Sequence, residues 1–119
     1  MSSKTHLQIL HDFLTLLDDF RESIIQPQPN AETVKQKFQV IENRFTNDIL
    51  SVSDEEVNPK LLSIWQGLLT EMNRSLRLVK TDLAFFEAAI KAGKLPKYKR
   101  MQQNLDQIRG ICSFCLKEA

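Results

Sequence analysis

The sequence predicts an all-α protein, an antiparallel up-down four-helix bundle with an overlong third helix, forming one domain over residues 1–119. Three observations lead there. Apolar residues recur at steps of three and four through four separate segments, which is the period of an amphipathic helix and not of a strand. Proline, asparagine and glycine fall mainly between those segments, where they end helices and start them. With only three Gly and four Pro in 119 residues, the chain has too few punctuators for the turns of a sandwich or barrel.

The first segment spans about Lys4 to Ile25, with Leu10, Phe13, Leu17, Phe20 and Ile24 on one face. It stops at Gln26-Pro27-Gln28-Pro29, because proline has no N–H to donate and its ring clashes with the preceding turn. Asn30 is placed to cap a second helix from Ala31 to about Leu50, whose seam is Val34, Phe38, Ile41, Phe45 and Ile49. Ser51 to Asn58 is polar and acidic, and Ser53 with Glu56 has capping-box spacing, which predicts a short helical turn. Asn58-Pro59 then reads as a cap followed by proline at the first helical position.

The third segment continues to about Ala92, where Gly93 is a natural stop. Its seam is Trp65, Leu69, Met72, Leu76, Val79, Leu83, Phe86 and Ile90, a heptad pattern. Leu95-Pro96 opens the fourth segment, which carries Tyr98, Met101, Leu105, Ile108, Cys112 and Cys115 to about Lys117. Short connections between helices of this kind specify up-down bundle packing. The third helix, about 34 residues or about 51 Å, outruns the others, at about 30–33 Å, so it must overhang, bend or split. Gly67 marks a place for a bend. An overhang bearing Leu61, Leu62, Ile64, Trp65 and Leu68 would be an exposed apolar patch suited to homodimerisation. The alternative is that the acidic connection and the 26–30 turn cover it.

Composition excludes several classes. Hydrophobic residues at 42% and charged residues at 26% match soluble globular proteins and not disordered or fibrous chains. The longest uncharged stretch, Leu61 to Thr70, is too short to span a membrane. Met1 to Leu10 lacks the apolar run of a signal peptide, so a reducing cytoplasm is expected. Residues 1–60 carry six Lys/Arg against ten Asp/Glu, and residues 61–119 carry ten against five. That asymmetry falls short of a nucleic-acid footprint. No nucleic acid, membrane or small-molecule substrate is expected as a partner.

Residues with catalytic reputations are few. Cys112-Ser-Phe-Cys115 has CxxC spacing but sits at a helix end, where the dipole disfavours a thiolate, and both cysteines lie on the seam. His6 and His11 are five apart on a helix and so point to different faces, which argues against a zinc site with the cysteines. Neither histidine has the glycine and basic neighbours of a phosphorelay histidine. No catalytic residue, metal or cofactor is therefore assigned, and the expected protein is not an enzyme. The most unusual surface is on the third helix, where Arg74, Arg77 and Lys80 step by threes beside Glu71. Glu71, Arg74, Arg77 and Lys80 form either a solvated flank with local ion pairs or a docking strip for an acidic partner. Lys91, Lys94, Lys97, Lys99 and Arg100 bracket the turn beyond and extend that basic character.

The same stretch carries a family resemblance. Thr70-Glu71-Met72-Asn73-Arg74, then Leu76-Arg77-Leu78, then Asp82-Leu83-Ala84-Phe85-Phe86-Glu87-Ala88-Ala89 resembles the core of the cyanobacterial PatD family, the heterocyst frequency control proteins. Met72 and Arg74 stand where the family has Ile and Lys, and Val79 and Phe86 stand where it has leucines. Arg100 and a late cysteine, Cys112 or Cys115, are also similar, and Phe38 and Ile49-Leu50 fit its second helix. The resemblance implies a small helical cytosolic regulator that tunes cell differentiation in filamentous cyanobacteria, with a link to the division protein FtsZ, whose assembly it would promote. It does not imply that the source of this chain forms heterocysts. Competing expectations are a helical adaptor for another protein and a phosphorelay module.

Overall fold

The structure is a computed structural model and describes residues 6–118. It is all-helical, with α1 at His6–Ile24, α2 at Ala31–Arg44, α3 at Leu62–Lys91 and α4 at Lys99–Glu118, and no strand among the described residues. The expected start of the first helix at Lys4 lies outside the described residues. α1 packs on α2 and α4, and α3 packs on α4 and α2. Arg21 meets Asp106 at 2.9 Å and Asp18 meets Arg109 at 3.3 Å, two ion pairs that tie α1 to α4.

The core is built from the apolar seams. Every residue expected on the faces of α1 and α2 is buried, including Leu10, Phe13 and Phe20 of α1 and Val34, Phe38 and Ile41 of α2. Each fully buried phenylalanine or leucine contributes about 1.5–3 kcal/mol by leaving water. Phe20 and Phe38 tie α1 to α2 with ring centroids 5.6 Å apart. On α3 the seam shifts slightly, since Leu68 is buried while Leu69 and Ile90 are half-buried at its edge.

The helix signals act as their chemistry requires. Asn30 Oδ1 accepts the Thr33 N–H at 3.0 Å, which satisfies one of the free donors at the start of α2. Ser53 and Glu56 close a capping box around the 3₁₀ turn Asp54–Glu56. Asn58 accepts from the Lys60 N–H at 3.0 Å, with Pro59 opening a second 3₁₀ turn, Pro59–Leu61, that leads into α3. At the other end Gly93 adopts φ 71°. Its N–H reaches the Ile90 carbonyl at 3.0 Å and that of Lys94 reaches Ala89 at 2.9 Å, a Schellman stop.

Three expectations change. The second helix does not run uniformly to Leu50 but ends in a π turn, Phe45–Ile49, with the Leu50 N–H bonded to the Phe45 carbonyl at 2.9 Å. Ile41, Phe45 and Ile49 are spaced by consecutive fours, which drift about 40° per step on an ordinary helix. The wider turn keeps all three buried. The fourth helix starts at Lys99 and not at Leu95-Pro96. Pro96 holds Leu95 out of the helical region, and Leu95 stays 86% exposed. Tyr98, expected on the seam, is largely exposed, and its carbonyl accepts from the Gln102 N–H at the head of α4.

The third correction concerns the expected overhang. Leu61, Trp65 and Leu68 are buried, and Leu62 and Ile64 pack half-buried against the same core. His6 and Leu7 of α1, Val57 of the acidic connection and Cys115 of α4 close around Leu61 and Trp65. His6 sits edge-on to the Trp65 ring at 5.7 Å. The cover comes from three separate elements and not from the 26–30 turn, so this stretch is not the exposed overhang that was one expectation. At 30 residues α3 is still the longest helix, and it runs unbroken through Gly67.

One ion pair between a buried carboxylate and an exposed cation ties α3 to α4. Asp82 is almost fully buried, and both its oxygens accept from Arg100 Nε at 3.0 Å. That hydrogen bonding, and next the carboxylate charge, hold the Arg100 guanidinium above its ordinary value. Removing the cation strands a buried carboxylate, whereas removing the negative charge leaves a cation that water can reach. Arg100→Met therefore lowers the urea midpoint more than Asp82→Asn does. The two glycines of α3 and its stop give a second stability test. A Cβ on exposed Gly67 meets nothing within 4 Å, while Gly93 holds a left-handed φ. Gly67→Ala gains about 1 kcal/mol, and Gly93→Ala loses about 1 kcal/mol, each read from urea unfolding.

Candidate functional site

The outward face of α3 is shaped by what its inward face must do. With Trp65, Leu68, Met72, Val79 and Phe86 turned to the core, the opposite side is left to solvent along the helix. Its exposed positions include four cations, Arg74, Arg77, Lys80 and Lys91, and no carboxylate. The three acidic residues of α3 lie elsewhere: Asp82 is buried, and Glu71 and Glu87 are half-buried. The fully exposed charges of α3 are therefore all basic, with Glu71 half-buried at their edge.

The structure brings Glu71, Arg74, Arg77 and Lys80 into one strip that crosses this face diagonally. Steps of three drift by about −60° each, carrying the strip from the α4 flank to the α2 flank. At the α4 end Glu71 accepts from Gln107 Nε2 at 3.2 Å and pairs with Arg74 at 3.6 Å. At the α2 end Lys80 lies 3.4 Å from Glu42. Between them Arg77 is exposed and has no ion pair among the described residues. Both pairs are largely solvated, and such pairs are worth about 0–1 kcal/mol and weaken with salt. Arg74 and Lys80 can thus exchange their partners for an incoming anionic group at little cost.

Two residues of this face escaped the sequence reading as surface features. Leu78 is 44% exposed and Phe85 is 69% exposed, each standing one position before a core residue, Val79 and Phe86. The signal was present: a fixed seam forces the residue before it about 100° off. Reading Leu78 and Phe85 as outward required knowing that no other element covers that flank.

The remaining reactive groups are placed apart. His11 is exposed on α1, while His6 and Cys115 border the same small cavity beside Trp65. The indole Nε1–H of Trp65 is buried and has no hydrogen-bond partner among the described residues. Among the described residues no three His, Cys, Asp or Glu side chains come together as a metal-binding group. Cys112 and Cys115 are free thiols within the core. Burial, and then the neighbouring Cys115, push the Cys112 thiol up to about 12 from its ordinary 9.0, and burial also raises Cys115. A second apolar surface, between α1 and α4, is lined by Leu14, Gly110 and the half-exposed Phe114. None of the described helices is long and apolar enough to cross a membrane.

No family model, curated protein or solved structure matches this chain. What the chain offers a partner is consequently argued from its own surface.

The thiol chemistry yields a pH prediction. In the unfolded chain Cys112 ionises near its ordinary 9.0, but in the fold it keeps its proton to about 12. The folded state then binds more protons than the unfolded state across that window, so stability falls as pH rises from 9.0 to about 12. Cys112→Ala removes part of that slope, measured as urea midpoints against pH. At neutral pH Cys112 reacts with a thiol reagent only after unfolding.

Proposed function

We propose that the chain is a non-enzymatic cytoplasmic regulator of the PatD type, an up-down antiparallel four-helix bundle that binds the division protein FtsZ and promotes its assembly. In a filamentous cyanobacterium that activity would tune heterocyst frequency by coupling division to differentiation. The observation that carries the reading is the outward strip of α3, where Arg74, Arg77 and Lys80 are exposed and the neighbouring Glu71 and Glu42 hold two of them only through solvated pairs. It coincides with the stretch from Thr70 to Ala89 that carries the resemblance to PatD proteins. The bundle arrangement is supported by the cross-helix pairs, since 18 with 109 and 21 with 106 on α1–α4 are matched by 71 with 107 and 82 with 100 on α3–α4.

The mechanism is electrostatic docking to an acidic polymer. Each FtsZ subunit repeats the same surface, so a filament offers many equivalent docking sites, and two linked copies of the strip, as in a dimer, would add avidity. The solvated pairs to Glu71 and Glu42 hold the cations in place without committing them. A helical adaptor for a different partner would use the same face and differs only in what it binds.

The test is co-pelleting of the purified chain with cyanobacterial FtsZ, with and without GTP, at low and physiological salt. GTP-dependent pelleting that persists at physiological salt is expected. Arg74→Glu combined with Arg77→Glu reduces it by at least about tenfold, in line with loss of two charge-assisted contacts. Absence of pelleting at either salt removes the FtsZ reading, and unchanged pelleting of the double variant removes the strip.

A further inference from the structure

We propose that the outward face of α3 docks an acidic amphipathic helix, with Leu78 and Phe85 as apolar anchors and Arg74 and Arg77 as charge contacts. The inference deepens the protein-binding reading above and rests on it, but it names the chemistry of the occupant independently of FtsZ.

The anchors are the first ground. Phe85, 69% exposed, and Leu78, 44% exposed, are large apolar groups on a face that the core does not use. At about 100° per residue, Arg74, Leu78 and Phe85 lie within about 40° of one another, in a row along the helix. Leu78 and Phe85 are about 10.5 Å apart along the axis, close to two turns. A partner helix with apolar residues at i and i+7 presents the same spacing, which is how amphipathic helices read a helical surface. Thr81, Ala84 and Ala88 are the exposed residues beside the row, and their small side chains let a second backbone approach.

Charge selects among such helices. The exposed part of α3 carries only cations, so a basic or neutral helix gains nothing from it, whereas carboxylates flanking the apolar pair meet Arg74 and Arg77. Arg77 is the strongest candidate contact because no carboxylate of the described residues engages it. A phosphate backbone fits less well, because it would leave the apolar anchors Leu78 and Phe85 uncovered and four cations on α3 fall short of a nucleic-acid stripe. A second copy of this chain fits less well too, since its Asp54–Glu56 cluster is a 3₁₀ turn and not a helical face.

The experiment is fluorescence anisotropy with a labelled helical peptide of about 20 residues, long enough to hold a helix in water, carrying leucines seven apart and glutamates on both flanks. Controls are the same peptide with lysines for glutamates, and a labelled single-stranded oligodeoxythymidine. The acidic peptide is expected to bind and the lysine peptide not to. Phe85→Ala with Leu78→Ala weakens binding by at least about tenfold, and so does Arg77→Glu, in each case with an unchanged circular dichroism spectrum. No binding of the acidic peptide, equal binding of both peptides, or unchanged binding by the folded variants overturns the proposal. Preferential binding of the oligonucleotide overturns it in favour of nucleic acid. A concentration-dependent dimer in sedimentation that Phe85→Ala abolishes overturns it in favour of a second copy. The co-pelleting assay separates this inference from the reading it rests on. Peptide binding without FtsZ pelleting keeps the docking face and removes FtsZ. FtsZ pelleting that Arg77→Glu abolishes, without peptide binding, does the reverse.

Discussion

α3 has to bury one side against both α2 and α4 along 30 residues, and that requirement organises everything else in the molecule. A helix has only one circumference. Once Trp65, Leu68, Met72, Val79 and Phe86 occupy the inward arc, the polar residues of α3 are sorted by what lies beside them. Those on the α4 flank are drawn into hydrogen bonds, as Asp82 is with Arg100 and Glu71 with Gln107. Those on the far arc face solvent, with at most a solvated ion pair. The acids of α3 went to the flanks and the exposed cations to the outside, so burial and charge separation are one event.

The lower end of α3 shows the same sorting in apolar form. Trp65 is large enough to need several neighbours, and it takes them from α1, from Val57 and from Cys115. Val57 is the point at which the acidic connection is pinned to the core. The carboxylates of Asp54, Glu55 and Glu56 remain in water while the backbone between them is held by the capping box of Ser53. A polar connection is thereby ordered by one buried valine and two side-chain caps. The cysteines near Trp65 serve as small apolar groups there, because burial keeps them protonated.

Much of the fold was legible because local signals and the apolar period agreed with one another. Asn30, the Ser53–Glu56 box, Asn58-Pro59 and Gly93 each act through bonds to residues a few positions away, and each appears where the sequence places it. The seams of α1 and α2 were legible for the same reason. Errors arose where a distant contact decided the outcome. The start of α4 moved to Lys99, beside the Arg100–Asp82 pair, and the π turn formed because Ile49 had to stay under the core. The exposed patch expected at Leu61, Leu62, Ile64, Trp65 and Leu68 is absent because α1 and α4 reach past the connection to cover it. The candidate site was half legible: the basic strip could be read from spacing, but Leu78 and Phe85 looked like ordinary members of an apolar helix.

By itself the sequence determined the helical class, the four segments, the caps at Asn30, Ser53 and Asn58, the stop at Gly93 and the core faces of α1 and α2, since all of these follow from contacts within one or two turns. The tertiary structure alone decided which apolar residues remain outside. Burial of Trp65 and exposure of Phe85 depend on whether another helix happens to pass over that side of α3, and no local pattern encodes the position of a neighbour. The same holds for charge, because Arg74, Arg77 and Lys80 become the exposed charges of one surface only when Asp82 and Glu71 are drawn toward α4.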